Sequence, residues 1–305
     1  MKKLNRPRKL SFIEHRKAIQ RLSRADDEAE VKRLLSSLWH QGGFEMNLER
    51  YNSGSKLWRV VDLPDQGRVV QDFSYPPKTE FCGIGRCNKA GQQVLYTSPN
   101  LGTCLSEMKG MAVGTQIRAG VWEAKSDFWC LNVSKHRNPV SKSGKLYRAL
   151  QDLYDDIGDH HYLRTSVITD WFLGELSEYV SLNSELDGIQ ALRYPSTLRT
   201  TESDNFSNVV FHKNFVDSGG IKLSQWYHLE VSEAGETSCV VETKSLGFQS
   251  REGVSDDGNL VWSEGPRSSG AIIPPGATVK FTKNGENWIP DQPLETFSPS
   301  MSANW

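Results

Sequence analysis

Three residues of this sequence, Arg86, Tyr96 and Glu107, have types and spacing that suit one kind of chemistry. The segment Gly85-Arg86-Cys87-Asn88-Lys89-Ala90-Gly91-Gln92-Gln93-Val94-Leu95-Tyr96-Thr97-Ser98 runs on to Leu105-Ser106-Glu107. It puts an arginine before a turn, a tyrosine on the strand that follows and a carboxylate on the helix after that. A strand followed by a helix can aim Tyr96 and Glu107 into one cleft, with Arg86 at its mouth. Arginine holds phosphate in a bidentate fork. A tyrosine ring stacks on a flat cation. A carboxylate stabilises an oxocarbenium ion as a glycosidic bond breaks. Nicotinamide on the ribose of NAD makes all three demands. Opposite charges about 4 Å apart at an effective dielectric of about 20 interact by roughly 4 kcal/mol. A few kcal/mol felt mainly in the transition state is worth on the order of 10²–10³ in rate. Spacing alone leaves the plainer roles open: a turn cation for Arg86, a core strand residue for Tyr96, a solvated carboxylate for Glu107.

Other constellations are missing from the sequence. GIGRCNKAG lacks the GxGxxG spacing of a dinucleotide-binding turn, and there is no GxxxxGK[ST], HExxH or GxSxG. Cys82 and Cys87, five apart, have no CxxC partner, so no metal is expected. The chain balances 36 Lys and Arg against 37 Asp and Glu, which argues against direct nucleic-acid binding over the whole surface. The cluster Lys2, Lys3, Arg6, Arg8 and Lys9 reads as a solvated terminus, with a nucleic-acid or partner contact as the rival. No apolar run approaches the roughly 20 residues of a bilayer span, so no membrane contact is expected. MKKLNRPRKL is not followed by an apolar h-region, and five scattered cysteines suit reduced thiols. The expectation is a soluble, cytoplasmic protein.

The elements that must position these residues can be read coarsely. Apolar spacing from about 11 to 40 predicts two short helices, broken near Asp26-Asp27-Glu28. Strands are predicted at Leu57–Leu63, Gln93–Thr97, Gly114–Glu123 and Phe128–Val133, with a short helix from Leu101 to Gly110. Helices follow at Gly144–Ile157 and Leu163–Asn183, then strands in GIQALRYPS and NVVFHK. WYHLEV, SCVVETKSLGF and TVKFT read as β, and the tail LETFSPSMSANW as polar and mobile. The fold class is α+β, organised as N-terminal helices over 1–50, a mixed α+β block over 55–230 and a β-rich extension over 231–305.

The central stretch resembles the RES domain, a toxin family with a G-R-x-N-x-x-G turn, a V-x-Y strand and a helix ending in Glu. Here these are Gly85-Arg86-Cys87-Asn88 with Gly91, Val94-Leu95-Tyr96, and Glu107, at intervals of ten and eleven. Cys87 replaces the aromatic residue often found after the arginine. Leu57-Trp58-Arg59-Val60, Asp187-Gly188-Ile189, Tyr194-Pro195-Ser196 and Asn208-Val209-Val210-Phe211 are similar to the family's other motifs. The resemblance implies a fold like that of ADP-ribosyltransferase toxins, two small sheets flanked by helices with NAD in the cleft between them. It implies that Arg86 holds NAD, Tyr96 packs on nicotinamide, Glu107 stabilises the ribosyl cation and Ser196 orients ribose or Glu107. Arg59 is a weaker candidate for a phosphate contact. Arg193 and Arg199 stand near enough to reach a phosphate but read more simply as surface charges. NAD would be the substrate, with inorganic phosphate, water or a protein as acceptor. A helix-turn-helix antitoxin and self-association are further expectations. The segment between Val133 and Asp187 implies an extra helical wall, and the C-terminal block a lid or partner-binding module. The alternatives are a protein ADP-ribosyltransferase on the same site, or a catalytically silent binding module.

Overall fold

The computed structural model describes residues 11–42, 47–61, 69–77, 83–108, 111–134, 142–155, 161–183, 186–196, 206–248, 260, 262, 272–273, 277–284, 287–291 and 301–304. Cys82, Arg199 and the basic cluster at 1–9 lie outside them.

Seven α-helices are seen among the described residues: α1 (Phe12–Leu22), α2 (Glu28–Gly42), α3 (Leu101–Ser106), α4 (Lys142–Asp155), α5 (Tyr162–Trp171), α6 (Ser177–Asn183) and α7 (Lys213–Asp217). The break between α1 and α2 falls at the acidic stretch. Ser11 opens α1 in a capping box with Glu14, and the Glu30 N–H donates to Asp27 Oδ2 at 2.9 Å as α2 begins. The long helix expected over Leu163–Asn183 is instead α5 and α6, joined by a π-helical turn at Phe172–Leu176. That wider turn contains Gly174, a residue that disfavours an uninterrupted α-helix.

The strands are β1 (Asn47–Tyr51), β2 (Lys56–Val61), β3 (Val94–Thr97), β4 (Gln116–Ala124), β5 (Phe128–Asn132), β6 (Ala191–Pro195), β7 (Ser207–His212), β8 (Ile221–Ala234), β9 (Ser238–Phe248), β10 (Thr278–Asn284), β11 (Asn287–Pro290) and β12 (Met301–Asn304). They form two six-stranded sheets, ordered β12-β1-β5-β6-β7-β3 and β11-β10-β9-β8-β4-β2. Among the described strands only β5 and β6 pair in parallel, which their helical connection through α4 to α6 permits. The tail is thus not wholly free: β12 pairs antiparallel with β1, Asn47 opposite Asn304. A pairing between the two ends of the chain leaves no local pattern to read. The division at residue 230 falls inside β8, so strands on both sides of it bond into the second sheet.

The core is layered. On the first sheet, alternate residues face opposite ways. Leu48, Leu131, Leu192 and Val210 meet Leu35, Leu38, Val167, Ile168 and Trp171 of the helices. Tyr51, Phe128, Ala191, Val209 and Phe211 meet Leu57, Trp122, Leu223 and Trp226 of the second sheet. The far face of the second sheet, with Val121, Tyr227 and Leu229, is covered by Leu101 and Leu105 of α3 together with Trp288 of β11. Gly120 of β4 leaves room for the side chain of Leu223 on the neighbouring strand β8, since a Cβ there would stand 2.8 Å from Leu223 Cδ1.

Candidate active site

The site forms where the edge strands β3 and β2 of the two sheets meet. The backbones of Trp58 and Ser98 exchange two hydrogen bonds of 2.7 Å, bridging the sheets. One residue on from Trp58, Arg59 sends its Nη1 to the Tyr96 carbonyl at 2.9 Å. Burial lowers the Arg59 pKa to about 10, and its Nε is buried without a partner. Among the described residues no carboxylate pairs with Arg59.

The turn that carries Arg86 is built by Asn88 and Tyr96. The Asn88 amide donates to the carbonyls of Gly83 and Lys89, at 2.9 and 3.0 Å. Its Oδ1 accepts from the Tyr96 hydroxyl at 2.8 Å, and that hydroxyl accepts from the Cys87 N–H at 3.0 Å. Gly85 is required, because a Cβ would lie 2.4 Å from Asn88 Oδ1. Gly91 closes the loop with φ at +75°, a conformation costly for other residues. Burial holds the Tyr96 phenol well above its ordinary pKa, so it stays protonated and acts as a fixed strut. The Cys87 thiol, buried beneath the turn, is pushed up to about 12 by the same cause.

Arg86 is itself buried. Its Nη1 donates to the Pro195 carbonyl at 3.1 Å, and its guanidinium carbon stands 5.7 Å from the centre of the Tyr194 ring. The next residue, Ser196, donates its hydroxyl to Glu107 Oε1 at 2.9 Å. Asn208 donates to the same oxygen from the start of β7 at 2.7 Å. The register of β6 and β7, Tyr194 opposite Asn208, sets these two donors side by side. Glu107 follows the last turn of α3 and is exposed, so its carboxylate is open to a ligand while one oxygen is fixed. Cys104, half-buried on α3, donates weakly to the Trp58 carbonyl at 3.6 Å, and burial pushes its thiol up to about 12.

Arg59, Arg86, Tyr96, Glu107 and Ser196 are therefore joined into one cluster by these hydrogen bonds together with the chain links Arg86–Cys87 and Pro195–Ser196. Arg193 does not join it. It is neither a surface charge nor a phosphate ligand: its Nε donates to Ser207 Oγ at 2.7 Å, and its Nη1 lies 3.3 Å from Glu49 and 3.2 Å from Tyr51. Two residues of the site had no role in the sequence reading, Asn208 for Glu107 and Tyr194 for Arg86. Both stood inside recognised motifs, but their partners lie about a hundred residues away.

The family model of the RES domain matches residues 56–227, more than half of the chain. The chain belongs to the RES-domain family. The matched span contains every residue of the cluster, from Arg59 to Asn208. The RES family is associated with toxins and with NAD-related enzymatic activity. Comparison of this RES protein with curated proteins and with solved structures finds no match. Among its described residues no helix is long and apolar enough to cross a membrane, and no group of three or more His, Cys, Asp or Glu side chains could hold a metal.

Proposed function

We propose that this RES domain degrades NAD by cleaving its nicotinamide–ribose bond, in a cleft like that of ADP-ribosyltransferases. The observation that carries the reading is Glu107, an exposed carboxylate anchored through one oxygen by Ser196 and Asn208. It lies in the same cluster as two arginines that no described carboxylate neutralises, Arg86 and Arg59. Such cations suit the diphosphate of NAD. Glu107 suits the ribose, where positive charge grows as the bond to nicotinamide lengthens.

In the step itself the ribose C1′–nitrogen bond breaks and its electron pair goes to the nicotinamide ring, which leaves neutral. The oxocarbenium ion left on ribose is stabilised by the Glu107 carboxylate and then captured by an oxygen of phosphate or water. Capture by phosphate gives ADP-ribose 1-phosphate. Capture by water gives ADP-ribose and releases a proton to solvent. Preorganised hydrogen bonds to Glu107 lower the cost of holding it in place when charge develops.

The test is to incubate the purified protein with NAD, with and without phosphate, and to follow nicotinamide and the ribosyl product by chromatography. Release that needs phosphate identifies a phosphorylase, and release without it a glycohydrolase. No release from folded protein in either condition overturns the reading.

A further inference from the structure

The helix that carries Glu107 is too short to hold its own position. α3 has six residues, well below the roughly 12–15 at which an isolated helix becomes even marginal in water. It lies across the second sheet and touches both of that sheet's edge strands, β2 and β11. At β11 the contact joins the Trp288 backbone to the Ser106 hydroxyl and to the bare backbone of Gly102. The Trp288 N–H donates to Ser106 Oγ at 2.7 Å, and the Ser106 hydroxyl donates to the Gly102 carbonyl at 2.7 Å. Gly102 faces the Trp288 carbonyl so closely that a Cβ would lie 2.1 Å from its oxygen. Ser106 immediately precedes Glu107. β11 also lies well beyond residue 227, where the match to the RES domain ends.

We propose that β11 is a positioning strut for Glu107, acting through Ser106, so that the C-terminal strands complete the catalytic site. This rests on the reading of Glu107 as the carboxylate that stabilises the ribosyl cation. Two groups of contacts then define where that carboxylate stands. Ser196 and Asn208 fix its oxygen, and the Trp288–Ser106–Gly102 chain fixes the backbone from which it projects. Ser106 touches no reacting atom in this scheme; it is a positioning residue.

The experiment compares wild type with Ser106→Ala, Ser106→Thr and Asn100→Ala in NAD turnover, thermal unfolding and amide exchange. A misplacement of about 1 Å can cost on the order of 10²-fold in rate, so Ser106→Ala should lower kcat about 10- to 100-fold and leave KM for NAD within about threefold. Ser106→Thr keeps the hydroxyl and should restore most of the rate. Asn100→Ala removes the cap at the other end of α3, where the Asn100 side chain accepts from the Gly102 N–H, and controls for plain loosening of the helix. It should lower the melting temperature without the selective loss of kcat. Ser106→Ala combined with Ser196→Ala should lose less than the sum of the two single losses, because both act through one carboxylate. Wild-type kcat in Ser106→Ala, or a loss no greater than that of Asn100→Ala, overturns the strut while NAD cleavage stands. If the wild type itself releases no nicotinamide, it is the NAD reading that fails. The strut is then judged by amide exchange at Glu107 and Met108: faster exchange in Ser106→Ala supports it and unchanged exchange removes it.

Discussion

Ser196 and Glu107 stand 89 residues apart in the chain and 2.9 Å apart in the site, hydroxyl to carboxylate. With Asn208 on the same oxygen, the carboxylate is held from β6 and β7, while α3 supplies its backbone. Hydrogen bonds to charged groups are worth about 1.5–3 kcal/mol, or roughly 10- to 100-fold in rate if realised in the transition state. Ser196→Ala and Asn208→Ala should each lower kcat within that range. Glu107→Gln should bring nicotinamide release down to background while the fold survives, since Glu107 is not a core residue. Steady-state nicotinamide release, with circular dichroism as the fold control, decides the point. Full activity in Glu107→Gln would remove the proposed mechanism.

Tyr96 should matter to the turn more than to proton transfer. Its hydroxyl joins the Cys87 N–H to the Asn88 side chain, and Tyr96→Phe leaves both without that partner. An unsatisfied buried polar group costs about 1–3 kcal/mol, and denaturant unfolding should show a loss in that range. Because burial keeps the phenol protonated well past its ordinary range, the pH–rate profile of the wild type should carry no limb from Tyr96 between about pH 7 and 9. A limb in that window that vanished in Tyr96→Phe would contradict the strut role.

The buried pair of Glu49 and Arg193 supports β6 from beneath the site. Glu49 also accepts from Tyr51 at 2.7 Å and from Asn132 at 2.8 Å. Arg193→Met would strand a buried carboxylate, which costs about 3–5 kcal/mol. Glu49→Gln combined with Arg193→Met should recover part of that loss. Urea unfolding of Arg193→Met and of the double variant measures both effects, and Arg193→Met as stable as wild type would show that the pair contributes nothing.

Acid should loosen the joint between the N-terminal helices and the Arg86 turn. Lys89, in that turn, reaches Glu28 of α2 at 2.9 Å and Asp170 of α5 at 2.7 Å. The hydrogen bond from Lys89 lowers the pKa of Glu28. At Asp170 burial pushes upward, but the hydrogen bond and charge of Lys89 outweigh it and leave the pKa lowered. Both are depressed carboxylates, so their contribution is present above the ordinary range and is lost as pH falls through the depressed values. The groups are partly solvated, so the effect is small, about 0–1 kcal/mol, and weaker in salt. Protection factors for amide exchange in α2, taken against the intrinsic exchange rate at each pH, should fall between about pH 5 and 3 in wild type and change less in Lys89→Met. An equal change in both would break the assignment.

Cys87 and Cys104 should resist alkylation. Both thiols are pushed up to about 12 by burial and so carry almost no thiolate near neutrality. Iodoacetamide at about pH 8 should label them slowly in native protein and quickly once urea unfolds it, as mass spectrometry of the digested protein would show. Fast native labelling of Cys104 would mean that α3 opens from β2.

Local rules in the sequence were enough to place most elements near Arg86, Tyr96 and Glu107. Ser11 and Asp27 announce helix starts through their own capping oxygens, and the turn at Gly85 and Gly91 is written in residues only a few positions apart. The order of the motifs likewise pointed to the RES family without any coordinates. What local sequence did not specify is pairing over long separations. Nothing in the residues near Met301 says that they bond to β1, and nothing near Trp288 says that it meets Ser106. The solvent-facing reading of Arg193 failed for the same reason, since its anion, Glu49, is 144 residues away. Side-chain partners across two sheets are chosen by register and layer packing, which involve the whole chain at once. Candidate site residues could therefore be proposed from the sequence, while the contacts that aim Glu107 came from the meeting of β6, β7, β11 and α3 in space.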